Sequence, residues 1–139
     1  QGQVFSGAME LLDNLIDRGY ELYAATNGIT YIQTGRLEQS GIAPYFKQIF
    51  ISEQLHTQKP DAEFYEKIGS RIPNFDKKYA LMIGDSLSAD IQGGENAGID
   101  TVWYNSQHLE NTTQLHPTYE VHSYKALLDC LELFQNWNI

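Results

Sequence analysis

The run Tyr79–Gly84 (YALMIG) has no charged or strongly polar member and is the length of a strand. A strand with one wet face alternates apolar and polar residues, whereas a continuous apolar run is expected where both faces are covered. A parallel sheet with helices packed on it meets that condition. This run should therefore be the most buried strand of the fold.

The rest of the chain alternates helical and strand patterns. Phe5, Ala8, Leu11, Leu12, Leu15 and Ile16 recur at helix spacing, and Gly19 follows as a stop. Glu21–Thr26 reads as a strand, and Ile32–Gln39 as a helix ended by Gly41. Gln48–Ser52 reads as a second strand. Pro60 then opens a helix through Phe64, Tyr65 and Ile68, since proline suits a first helical turn. Beyond the YALMIG run, a helix from Leu87 to Ala97 stops at Gly98, and Asp100–Tyr104 is a further strand. Asn105–Pro117 is polar and reads as a loop, Tyr119–Val121 as a short edge strand, and Ser123 as the cap of a last helix to about Phe134. Strands and helices alternating at this spacing give an α/β class with a parallel sheet. The 139 residues are one domain's worth of chain, with no repeat and no interdomain linker.

Charge and composition exclude several functions. Asp and Glu outnumber Lys and Arg by 18 to 9, so nucleic-acid binding through the phosphate backbone is not expected. No apolar stretch approaches a membrane span, and no signal peptide is visible. Cys130 is the single cysteine, set among Leu127, Leu128 and Leu131, and reads as a packed thiol in a reducing, cytoplasmic compartment.

Ligands of parallel α/β sheets sit at the carboxyl ends of the strands, and three strand ends carry suitable chemistry. Thr26-Asn27-Gly28 offers a hydroxyl and backbone N–H groups of the kind a phosphate oxygen needs, though Asn-Gly is also a common turn. Lys59-Pro60 places a cation just before a helix, where it could neutralise a phosphoryl group, although most lysines are merely solvated. Gly84-Asp85-Ser86 ends the YALMIG strand, and Asp90 lies in the first turn of the next helix. Hard carboxylate oxygens there suit Mg²⁺. The alternative is that both aspartates cap the helix. Gly93 and Gly94 inside that helix each cost about 0.8–1.0 kcal/mol relative to Ala, which implies a close-packing reason for them.

Taken in order, Ala25-Thr26-Asn27-Gly28, Lys59-Pro60 and Ile83-Gly84-Asp85-Ser86 through Gly93-Gly94 resemble the second, third and fourth motifs of the haloacid dehalogenase superfamily. The likeness covers essentially the whole chain and is nearest to the nucleotidase branch that acts on pyrimidine and non-standard nucleoside monophosphates. The resemblance implies a three-layer α/β/α, Rossmann-like core and a small phosphomonoester as substrate. It implies that Thr26 and the Asn27 backbone hold the phosphoryl group and that Lys59 stabilises its charge. Asp85 would be a direct Mg²⁺ ligand, with Asp90 supporting the site from behind or through water. Members of the superfamily form an aspartyl-phosphate on an Asp-x-Asp motif.

That motif belongs upstream, and no Asp-x-Asp occurs in these residues. The resemblance therefore implies a partial core, 1–139, without the nucleophile strand and cap domain and inactive by itself. An N-terminal segment or a strand swapped from a second copy would complete the sheet. Two other readings stay open: a halide-removing hydrolase, disfavoured by the acidic Asp85, and a non-catalytic α/β binding module.

Overall fold

The computed structural model describes residues 7–137, and Phe5, expected in the first helix, lies outside them. The fold is α/β, and among the described residues the strands form two parallel sheets, one of two strands and one of three. The chain divides into two compact units, residues 1–58 and 59–139.

The first unit opens with α1 (Ala8–Asp17), whose Leu11 and Leu15 are buried as the spacing predicts. Gly19, at φ +91°, donates its N–H to the Ile16 carbonyl and ends the turn. Strand β1 is Tyr23–Thr26, two residues shorter at its start than the apolar pattern suggests. It pairs with β2 (Gln48–Ile51) in the register Thr26↔Ile51. Helix α2 (Thr30–Ser40) ends at Gly41, in the left-handed conformation expected of a stop. No residue of α2 is buried, and Tyr31 is 87% exposed. The core of this unit lies instead around Leu11, Leu15, Phe50, Ile51 and Leu55. Leu55 belongs to α3 (Ser52–Leu55), a single helical turn absent from the sequence expectation. Four residues are too few to show a helical period.

The second unit carries α4 (Ala62–Ser70), β3 (Leu81–Gly84), α5 (Gln92–Ala97), β4 (Asp100–Tyr104), β5 (Tyr119–Val121) and α6 (Tyr124–Trp137). Pro60 is not in the first turn of α4: the helix starts at Ala62, with Asp61 as its N-cap residue. Strand β3 starts two residues later than the apolar run, because Lys77–Tyr79 form a 3₁₀ turn. It is also not the most buried strand. All four of its residues are partly exposed, whereas Thr101, Val102 and Trp103 of β4 are buried. The strand order β3-β4-β5 explains this, since among the described residues β4 has neighbours on both sides and β3 on one side only. Phe64 and Val102 are completely buried. Such burial contributes about 1.5–3 kcal/mol per side chain.

Between β3 and α5 the chain makes a π-helical turn, Leu87–Ile91. The Ser86 carbonyl accepts the N–H groups of both Asp90 (2.9 Å) and Ile91 (3.2 Å). The two glycines of α5 have the close-packing role inferred for them, on different neighbours. A Cβ on Gly93 would strike the Tyr65 hydroxyl of α4, and one on Gly94 would strike the Thr101 methyl of β4. Beyond β4, buried Asn105 closes the long loop: its Oδ1 accepts from Leu109 N, and its Nδ2 donates to Leu109 O and Glu120 Oε2, each at 2.9 Å. Ser123 caps α6 as expected, accepting the Ala126 N–H at 3.0 Å.

Candidate active site

The candidate residues fall into both units. Thr26 and Asn27 lie in the first, at the end of β1; Lys59, Asp85 and Asp90 lie in the second.

In the first unit, the loop after β1 is held by residues that sequence reasoning did not single out. Ser52 Oγ accepts the Gly28 N–H at 2.9 Å, and Glu53 Oε1 accepts the Thr30 N–H at 2.7 Å. Ile29, the N-cap residue of α2, provides no side-chain cap, so Glu53 of α3 does that work from another element. The bond from the Thr30 backbone holds the Glu53 carboxyl below its usual range. Gln33 Nε2 donates to the Asn27 carbonyl at 2.8 Å. Gly28 has φ +148°, and a Cβ there would strike the Gln33 side chain. Both facts reserve the position for glycine. The Thr26 hydroxyl donates to Asn27 O at 3.2 Å, the long end of an O–H···O bond.

In the second unit the structure brings Lys59 and Asp90 into direct contact. Lys59 Nζ is 2.6 Å from Asp90 Oδ1, with the two side chains 12% and 7% exposed. Asp90 Oδ2 accepts the Ser86 N–H at 3.3 Å. Both carboxylate oxygens are thus occupied. This buried carboxylate does not cap the helix from solvent, as the plainer sequence reading would have it. Room for it comes from Gly84, where a Cβ would overlap the Asp90 carboxylate. Tyr65 lies close by, and burial first, then the Asp90 charge, raise its phenol well above the ordinary range. Ser86 Oγ accepts the Ala89 N–H at 3.1 Å, so Ser86 caps the turn, Asp90 accepts back from the Ser86 N–H, and the Asp85 side chain takes no part among the described residues.

Asp85 is different. Its side chain is exposed, and no hydrogen-bond or ion-pair partner for its carboxylate lies among the described residues of this unit. Its backbone carbonyl, by contrast, accepts the Trp103 indole N–H at 3.1 Å. Among the described residues no group of three His, Cys, Asp or Glu side chains is placed to hold a metal ion. Mg²⁺ does not require one, because it takes one or two protein carboxylates and keeps several waters. A solvent-facing carboxylate at a strand end, with no internal partner in its unit, fits that requirement.

The arrangement matches a known family. Residues 1–104 match the model of the haloacid dehalogenase-like hydrolases, and the chain belongs to that family. It is 73% identical over 132 residues to the pyrimidine 5′-nucleotidase PynA of Streptococcus pneumoniae, covering 95% of this chain and 56% of the relative. It is 36% identical to the pyrimidine 5′-nucleotidase YjjG of Escherichia coli, covering 87% of this chain and 53% of the relative. The magnesium-bound crystal structure of the HAD-hydrolase YfnB of Bacillus subtilis superposes with a TM-score of 0.88 at 42% identity, covering 94% of this chain and 57% of YfnB. The chain thus spans little more than half the length of these relatives. No helix among the described residues is long and apolar enough to cross a membrane.

Proposed function

We propose that the whole protein is a Mg²⁺-assisted phosphomonoesterase acting on pyrimidine nucleoside 5′-monophosphates. The observation that carries this reading is the exposed Asp85 carboxylate one peptide away from a buried Lys59–Asp90 pair. The nucleotidase relatives support the substrate class. In this reading Lys59 presents its ammonium to the phosphoryl oxygens, held in place by Asp90. Thr26 gives up its long bond to Asn27 O and donates to the phosphoryl group together with the Asn27 N–H. Asp85 would hold Mg²⁺, which would supply positive charge against that of the phosphoryl group. The nucleophile is an aspartate outside these 139 residues. It attacks phosphorus and breaks the P–O5′ bond, the nucleoside leaves as the alcohol, and water then cleaves the aspartyl-phosphate to free phosphate and the carboxylate.

The same reading has the rest of the protein, or a second copy, complete the sheet. β1 and β3 each have a ladder partner on one side among the described residues, which leaves an edge for a further strand. The unpaired Cys130 supports a reducing, cytoplasmic setting.

The test is a substrate panel on the whole protein, with and without EDTA. Phosphate release from pyrimidine monophosphates that EDTA stops and Mg²⁺ restores is the expected result. Halide release from 2-haloacids without phosphatase activity would replace this reading with a dehalogenase, and no turnover of either would favour a binding module.

A further inference from the structure

The β3–β4 ladder ends at the pair Gly84↔Trp103. Asp85 is therefore the first residue past the strand, where backbone pairing no longer fixes it. Among the described residues of its unit, its carboxylate has no partner to orient it. The peptide joining Asp85 to Ser86 is nevertheless held at both of its polar atoms. Trp103 Nε1 donates to the Asp85 carbonyl at 3.1 Å, and the Ser86 N–H donates to Asp90 Oδ2 at 3.3 Å. Both holding side chains are buried: Trp103 is 2% exposed and Asp90 5%. An indole N–H is a donor only, and a buried one needs an acceptor. Trp103 itself sits in the central strand of its sheet, with partners on both sides. The clamp is thus anchored in buried side chains, one of them on the central strand of its three-stranded sheet.

We infer that Trp103 is a positioning residue for Asp85. Its indole N–H fixes the plane of the peptide that follows Asp85 and thereby the direction in which the carboxylate leaves the strand toward a divalent cation. This rests on the reading of Asp85 as a metal ligand. A phenyl ring in place of the indole would keep much of the packing but leave the carbonyl, and the carboxylate it steers, free to swing.

Mg²⁺ binding to the whole protein, measured by isothermal titration calorimetry without substrate, tests this independently of turnover. Trp103→Phe is expected to weaken Mg²⁺ binding about tenfold, the scale on which groups behind a metal ligand act. The KM for substrate at saturating Mg²⁺ should stay near wild type. If Trp103→Phe does not fold, benzothienylalanine at position 103 preserves the shape of the indole and removes only the N–H. It should show the same weakening with an unchanged unfolding midpoint. Wild-type Mg²⁺ affinity in the benzothienyl protein would overturn the role of Trp103. Asp85→Asn separates the two readings: loss of Mg²⁺ binding there upholds the metal assignment whatever Trp103 does, and retention overturns both.

Discussion

Lys59 and Asp90, 31 residues apart in sequence, form an ion pair of 2.6 Å. Removing one partner of a buried pair leaves the other charged and unsolvated, at a cost of about 3–5 kcal/mol. Lys59→Met is therefore expected to destabilise the protein by that amount in urea unfolding. Asp90→Asn, which keeps an oxygen for the Ser86 N–H, should cost less. Equal and small effects would mean that the pair is solvated.

Gly84 faces the same carboxylate. Gly84→Ala would push a methyl group into Asp90, and overpacking of this kind costs about 1–3 kcal/mol. Because the displaced group is the one that holds Lys59, turnover should fall further than stability. Kinetics on Gly84→Ala, at a temperature where the variant is fully folded, would show this as a drop in kcat.

Glu53 sets an acid limit on the loop after β1. Its folded pKa lies below the ordinary 4.5 because the carboxylate accepts the Thr30 N–H. Its stabilising effect is complete above 4.5 and is lost as pH falls through the lower folded value. Wild type and Glu53→Gln should therefore differ in thermal midpoint at neutral pH and converge on acidification. A gap that persists into strong acid would count against the cap.

Cys130 is buried, and burial raises its thiol above the ordinary value. Iodoacetamide at mildly alkaline pH should modify it slowly in the folded protein and at the free-thiol rate in urea. Fast labelling of the folded protein would contradict the packing around α6.

Much of the fold was legible in the sequence. Asp100–Tyr104 and Tyr119–Val121 form strands where the apolar pattern puts them, and Gly41 and Gly98 end helices in the left-handed conformation. All five candidate residues were named from strand-end position and the family likeness, but the contacts that organise them were not. Ser52 and Glu53 act on Gly28 and Thr30 from more than twenty residues away. The Trp103–Asp85 bond ends on a carbonyl, an atom that every residue has and no motif marks. β3 is less buried than its apolar composition predicts because, among the described residues, it has a strand partner on one side only; composition reports what a strand can tolerate on its faces, not which neighbours these residues supply.

The π-helical turn at Leu87–Ile91 amounts to one residue more than an α-helix would use. Successive residues of an α-helix are about 100° apart around its axis, so that extra residue is a phase shift between strand end and helix. Downstream, the phase is locked by Gly93 against Tyr65 and Gly94 against Thr101; upstream, by Gly84 against Asp90. Deleting Ser88 would leave a regular helix able to satisfy one of these locks but not both. Either Asp90 would turn away from Lys59 or the glycines would turn away from their neighbours. This turn is therefore governed by residue count more than by residue identity: exposed Ser88 can be exchanged, but it cannot be removed.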